Sequence, residues 1–318
     1  MKFKILPIAG DASFRKFYRL KLSKSSKILI LAKKEKYKNL IAYCSVNKFL
    51  RNNKILSPKL YSYNFSKGFV IIEDFGDLSF YKVLLKSKRK IIVYKKLIDL
   101  LIKIQKIKPK TIIKNPKGGL HKINKYSKKY LFEESNLFFD WYLPMFLTKK
   151  KATNIKKKSN KILLKIYNRL NFSNSYFVHR DYHVQNLMKV GKKIGVIDSQ
   201  DALVGNPAYD LVSLIDDVRI KTSKELKNQI YNYYLAKKPK INKKDFSEDF
   251  NILSVQRSLK IIGIFSRLFL RDKKKQYLKY IPYTWQLLEM RMKNKIFIEL
   301  NKILMKNVPK KFKKMNYK

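Results

Sequence analysis

Short apolar runs dominate the first quarter of the chain, and apolar positions at helical spacing dominate the rest. FKILPIA at 3–9, the alternating basic and apolar positions of 14–22, and ILIL at 28–31 predict three strands, with Gly10, Asp11, Ala12 and Ser13 turning between the first two. Residues 36–52 place Leu40, Ile41, Tyr43, Cys44, Val46, Phe49 and Leu50 on one broad helical face. Pro58 closes the next turn, and FVII at 69–72 predicts a further strand leading into Glu73, Asp74, Phe75, Gly76 and Asp77. From Leu78 the pattern is largely helical. It predicts one helix over 88–108 closed by Pro109, a loop holding His121, Pro116, Gly118 and Gly119, an aromatic-rich helix over 126–147, and a basic loop over 149–158. Helices over 162–170, 209–220, 246–271 and 277–306 follow, with no internal repeat. The expected fold class is α+β in two lobes, a small β-rich lobe at 1–77 and a larger, mainly helical lobe at 78–318. The segment 73–77 is the expected hinge.

One stretch breaks the helical pattern of the second lobe. Residues 177–201 read FVHRDYHVQNLMKVGKKIGVIDSQD, two short apolar runs that each deliver polar residues onto a turn. The first ends in His179, Arg180 and Asp181, with Asn186 five positions after Asp181. The second, 194–197, ends at Asp198. An Asp, an Asn five residues on and an Asp closing the next strand is the layout of kinase-type phosphoryl transfer. That reaction needs an aligned nucleophile and neutralised phosphate charge, so Asp181 is the candidate base and Asn186 and Asp198 are candidate Mg²⁺ ligands. His179 would fix the loop, and Asp210, near a helix start, would cap that helix or brace the turn. A zinc or iron site on His179, His183 and the Asp residues is the competing reading, but His121, the third histidine of the chain, lies far off in a loop. The Gly10–Ser13 turn is neither a Walker A loop nor a G-x-G-x-x-G loop. It reads as an ordinary hairpin or, with Ser13 and Arg15, as a phosphate cover.

Composition changes this picture little. At 318 residues with 45% hydrophobic and 14% aromatic content, the chain buries a full core. The single cysteine, Cys44, excludes a disulfide framework and a Cys-based zinc site, and fits the cytoplasm. No eighteen-residue apolar run predicts a membrane span, and residues 1–10 lack the apolar core of a secretory signal. The net charge of +52 suggests nucleic acid, but Lys rather than Arg carries it and it is spread from Lys2 to Lys318 alongside abundant Asn and Ile, a pattern of A/T-rich codons. Nucleic acid is therefore a disfavoured partner, and the charge draws in anionic small ligands.

HRDYHVQNLM followed by VIDSQDALVGNPAYDLVSL resembles the signature of the aminoglycoside phosphotransferase/choline kinase superfamily, relatives of protein kinases. GDASFRKFYRL, IIEDFGD, FFDWYLP, VQRSLKIIGIFSRLFLRD and YLKYIP further resemble blocks of bacterial anomeric N-acetylmuramate/N-acetylglucosamine kinases of cell-wall sugar recycling. The resemblance implies a two-lobed kinase-like fold, ATP and Mg²⁺, and a small-molecule sugar or alcohol acceptor. It implies Asp181 as base and Asn186 and Asp198 as metal ligands. Gly10, Asp11, Ala12, Ser13 and Arg15 would cover the nucleotide, and Glu73, Asp74 and Phe75 would meet its adenine. Asp201, Gln256 and Arg257 would face the acceptor. The same fold could instead serve an aminoglycoside or a choline-like alcohol, and a third possibility is a non-catalytic Lys-rich binding protein. Two departures stand out. Ser199 and Gln200 replace the Phe-Gly of protein kinases, and strand 28–31 lacks the usual phosphate-pairing Lys, a role left open among Lys33, Lys34 and Arg15.

Overall fold

A computed structural model describes residues 4–8, 15–23, 25–33 and 37–314. The Gly10–Ser13 turn lies outside the described residues. The chain forms two compact units, the first made of residues 1–125 and 176–204, the second of 126–175 and 205–318.

The first unit opens on an antiparallel five-stranded sheet. Its strands are β1 (Lys4–Ile8), β2 (Lys16–Lys21), β3 (Ser26–Leu31), β4 (Leu60–Asn64) and β5 (Phe69–Glu73), in the order β1-β2-β3-β5-β4. Strand β4 was not expected, because LYSYN carries only two half-buried positions and gives no clean alternation. Helix α1 (Tyr37–Asn52) follows the 36–52 expectation and lies in contact with β5. Ile28, Ile30, Leu40, Tyr43, Cys44, Phe65, Val70 and Ile72 form the core of this region. Cys44 is a packing residue, its thiol pushed up to about 12 by burial. The expected 88–108 helix is α3 (Lys90–Gln105), preceded by a separate short α2 (Phe80–Lys86). The Pro116–Gly119 region is the turn of a small hairpin, β6 (Ile112–Lys114) and β7 (Leu120–Lys122), so His121 sits in a strand and not in a loop. The unit is completed by β8 (Tyr176–Val178), by the hairpin β9 (Leu187–Val190) and β10 (Lys193–Val196), and by β11 (Leu203–Gly205), which pairs β8.

The second unit is helical. α4 (Lys128–Leu137) continues into a π-helical turn, Phe138–Tyr142, in place of the single expected helix over 126–147. The expected basic loop at 149–158 is instead the first half of a nineteen-residue helix, α5 (Lys149–Tyr167). Thr148 caps it by accepting from Lys151 N–H at 3.4 Å, and Ala152, Ile155, Ser159, Leu163 and Ile166 form its buried stripe. Its lysines are good helix formers that occupy the solvent face, so charge density misled where periodicity was informative. α6 (Ala208–Ile215) ends earlier than the expected 220, and α7 (Lys224–Ala236), which was not anticipated, follows. The central element is α8 (Lys243–Leu270), and the C-terminal stretch breaks into α9 (Ile281–Arg291), α10 (Ile298–Asn307) and α11 (Lys310–Lys313).

Helix α8 passes the π turn without a side chain between the two backbones. A Cβ on Gly263 would stand 2.2 Å from the Leu137 carbonyl carbon and 2.5 Å from Phe138 N. Backbone at a helix junction cannot yield as a rotamer can. Gly263→Ala is therefore expected to destabilise the protein by ~3 kcal/mol, the upper end for overpacking, read as a lowered midpoint in denaturant unfolding.

Candidate active site

The first unit gathers the central stretch around one residue. Ile197, immediately before Asp198, donates its N–H to Asn186 O at 3.0 Å, and its carbonyl accepts from His179 Nε2 at 3.0 Å. A carbonyl only accepts, so His179 carries its proton on Nε2. The ring is fully buried. The Asp181 loop is closed by His183 N–H donating to Asp181 O at 2.9 Å and by Asn186 Nδ2 donating to the same carbonyl at 3.0 Å. The second Asn186 amide hydrogen meets His183 Nε2 at 3.3 Å. These two contacts of the Asn186 amide nitrogen stay within the loop. Beneath the loop, the Tyr182 hydroxyl donates to Leu97 O on α3 at 2.8 Å, and Val184 O accepts from Tyr81 N–H on α2 at 2.9 Å.

Backbone strain marks the same two turns. Among the described residues four non-glycines have positive φ, and two of them are Arg180 at 72° and Asp198 at 63°. Left-handed conformations at such residues cost of order 1–3 kcal/mol each and persist where the surrounding structure over-determines them. One sits beside the candidate base, and the other is a candidate metal ligand.

Asp198 Oδ1 accepts from Arg15 Nη2 at 2.7 Å, and Arg15 Nη1 donates to Gln200 Oε1 at 3.2 Å. The neighbouring Ser199 is buried and donates to Asn47 Oδ1 on α1 at 2.7 Å, while Ser57 Oγ donates to Asn47 O at 2.8 Å. Asn47 escaped sequence analysis. Its signal was an amide among the mostly apolar buried residues of α1. Asp201 is exposed. It accepts from Gln200 Nε2 at 2.8 Å, and its carbonyl accepts from Arg180 Nη1 at 3.3 Å.

At the 73–77 segment the acidic side chains serve the backbone. Asp74 accepts from Arg19 Nε at 2.6 Å, Ser26 Oγ at 2.7 Å and Gly76 N–H at 2.8 Å, and Arg19 also pairs with Asp77 at 2.9 Å. Burial opposes ionisation of Asp74, but these bonds outweigh it and hold its carboxyl below the usual range. Glu73 accepts from Lys59 N–H at 3.0 Å and Arg51 Nη1 at 3.3 Å. Phe75 is buried against Gly195 of β10, where an added Cβ would lie 2.6 Å from its ring. The Glu73 and Asp74 side chains are thus engaged with neighbouring residues of the same unit.

A Mg²⁺ ion suits this donor set. Asn186 Oδ1 and the Asp198 carboxylate are hard oxygens, and the described residues contain no cluster of three or more His, Cys, Asp or Glu able to cage a metal. Few protein ligands are what Mg²⁺ requires when phosphates and water complete its shell.

Within the second unit, Gln256 and Arg257 on α8 are buried in a polar cluster. Gln256 Nε2 donates to Glu134 Oε2 at 2.9 Å, Lys260 Nζ pairs with Glu134 Oε1 at 2.9 Å, and Tyr126 OH donates to Glu134. Arg257 Nη1 meets Tyr209 OH at 3.4 Å. Burial first, and the Glu134 charge second, push the Tyr126 hydroxyl well above its ordinary pKa. Glu134, Tyr126, Tyr209 and Lys260 were not anticipated, although Glu134 occupies a core position of α4 beside Leu131 and Ser135. Asp210 is buried in the first turn of α6.

An antiparallel five-stranded sheet, a helical unit, and a His-Arg-Asp loop ahead of a β-hairpin that runs into a strained Asp are the parts of a kinase-like fold, and the family match makes the chain a phosphotransferase. The chain belongs to the phosphotransferase enzyme family, whose model matches residues 4–242. It is similar to the N-acetylmuramate/N-acetylglucosamine kinase of Neisseria meningitidis serogroup B, 27% identical over 86% of this chain and 81% of that one. The enzyme of the same name from Pseudomonas aeruginosa is 27% identical over 90% of this chain and 82% of its own. Among solved structures, a gentamicin complex of an aminoglycoside phosphotransferase shares the fold with a TM-score of 0.64 at 14% identity, over 93% of each chain. A choline/ethanolamine kinase family protein from Mesorhizobium loti gives 0.63 at 11% identity, over 96% of this chain and 93% of that one. No helix among the described residues is long and apolar enough to cross a membrane.

Proposed function

We propose that this phosphotransferase is an ATP- and Mg²⁺-dependent cytoplasmic kinase that phosphorylates the anomeric hydroxyl of N-acetylmuramate or N-acetylglucosamine. The interlocked Asp181–Asn186–Asp198 geometry carries the chemistry. The acceptor is supported by the relatives that share that name across most of both chains.

In this reading the acceptor oxygen attacks the γ-phosphorus of ATP, the bond to ADP breaks, and Asp181 takes the hydroxyl proton. Mg²⁺, held by Asn186 and Asp198, would neutralise phosphate charge. His179 keeps both ligand-bearing turns in register through Ile197. The strands of residues 1–77 would cover the nucleotide, residues 73–75 would meet its adenine, and Asp201, Gln256 and Arg257 would serve the acceptor. Gln256 and Arg257 act in that scheme from within the Glu134 cluster, which fixes their side chains.

Purified protein incubated with ATP, Mg²⁺ and either amino sugar is expected to yield the sugar 1-phosphate, with turnover abolished by EDTA. Phosphorylation of an aminoglycoside or choline with no turnover of either amino sugar would overturn the acceptor assignment while keeping the phosphotransferase.

A further inference from the structure

Kinase-type transfer places a protein cation on the phosphates that are not transferred, and β3 supplies none. Its residues 28–31 are Ile, Leu, Ile and Leu, and Lys27 at its start sits over the Tyr61 ring at 4.7 Å. We propose that Arg15 is the phosphate-contacting cation of this enzyme and that Gln200 is the residue that positions it. The proposal rests on the nucleotide-binding reading above.

Three elements hold the Arg15 guanidinium. It is 8% exposed at the start of β2 and lies 5.4 Å from the Phe17 ring of that strand. The Tyr43 ring of α1 is 5.8 Å away. The turn after β10 supplies Asp198 at 2.7 Å and Gln200 at 3.2 Å. Burying a guanidinium carries a desolvation cost that a solvated arginine avoids, so this cradle calls for a reason. Its location gives the reason. Asp198 is the carboxylate assigned to the metal, and phosphate oxygens share that metal. A cation in contact with Asp198 is therefore placed beside the phosphates.

The guanidinium fork suits phosphate better than an ammonium does, since it offers parallel N–H donors and keeps its charge at every accessible pH. Gln200 accounts for one departure from the Phe-Gly of protein kinases. Its neutral oxygen orients Nη1 without adding a second carboxylate to that of Asp198. Ser199 accounts for the other, because its hydroxyl bonds Asn47 and ties the same turn to the helix that carries Tyr43. Among the alternatives, Lys33 is exposed past the end of β3 and makes no comparable set of contacts, and Lys34 lies outside the described residues.

The test is calorimetric titration of the non-hydrolysable ATP analogue AMP-PNP with Mg²⁺, and of adenosine, into wild type and variants whose thermal unfolding is measured in parallel. Arg15→Ala is expected to weaken AMP-PNP binding by about 10–100-fold, the scale of charge-assisted bonds to phosphate, and to leave adenosine affinity unchanged. Gln200→Leu should weaken the analogue by a smaller factor with the same selectivity, and Lys33→Ala should match wild type. Should Arg15→Ala not fold, Arg15→Lys decides, with the analogue weakened and adenosine unaffected. Equal affinity of the Arg15 variants and wild type for AMP-PNP would overturn the proposal, as would parallel loss of both ligands, which marks a structural role. Wild type that binds neither ligand would overturn the nucleotide reading itself and this proposal with it.

Discussion

Replacing Asp181 by Ala is expected to lower phosphoryl transfer to the amino sugar by about 10²–10⁴-fold, the contribution of a positioned general base, while nucleotide affinity stays near wild type. The separation of these two effects follows from how the loop is built. Two of its internal bonds run to the Asp181 carbonyl, which accepts from His183 N–H at 2.9 Å and from Asn186 Nδ2 at 3.0 Å. Truncating the carboxylate leaves that carbonyl, and therefore the placement of Asn186, intact. Ile197 and His179 likewise keep their bonds, so Asp198 stays in its left-handed conformation. The measurement is single-turnover transfer from labelled ATP, paired with titration of a non-hydrolysable analogue. Transfer at the wild-type rate would remove Asp181 from the role of base. Loss of nucleotide binding together with transfer would show that its side chain organises the loop, a different function for the same residue.

What the sequence disclosed and what it withheld divide along contact distance. Asp181, Asn186 and Asp198 stood out as candidates because they fall within one short segment, a loop followed by a hairpin, where spacing alone carries the signal. Arg15 and Asp198 are 183 positions apart, and Asn47 and Ser199 are 152 apart, so no local period could report either pair. The long helices α1 and α8 emerged near their expected bounds. Misreadings arose where another feature masked the period. A run of lysines hid the stripe of α5, and glycines and a proline drew attention away from the short strands of the β6–β7 hairpin. The π turn at Phe138–Tyr142 has no distinct sequence period, and it took the position of Gly263 to show how closely it is packed. Buried polar residues on apolar helix faces, Asn47, Glu134, Gln256 and Lys260, were the signal most worth weighing. Each turned out to be a partner in a network joining distant segments.

The second large effect falls on stability and lies within the helical unit. Asp216, 4% exposed, receives Lys227 Nζ at 3.0 Å, Arg291 Nε at 3.0 Å and Ser254 Oγ at 2.6 Å. The one carboxylate thereby joins the end of α6 to α7, α8 and α9. Burial alone would raise its pKa, but the charges of Lys227 and Arg291 and their hydrogen bonds overcome it and hold the group far below the ordinary carboxylate range. Asp216→Ala strands two cations in a site where Lys227 is also buried. The expected loss is about 3–5 kcal/mol, the cost of removing one partner from a buried ion pair. The pH dependence has a fixed sign. Above about pH 5 the carboxylate is ionised in both the folded and the unfolded chain, whose ordinary pKa is about 3.9, so the full contribution is present. As pH falls below about 4 the unfolded chain takes up a proton that the folded one refuses, and the contribution is lost progressively. Chemical denaturation of wild type and Asp216→Ala between pH 7 and pH 3 should therefore show a gap that is widest at neutrality and narrows on acidification. A gap that is constant with pH would mean that Asp216 contributes through packing and not through its charge.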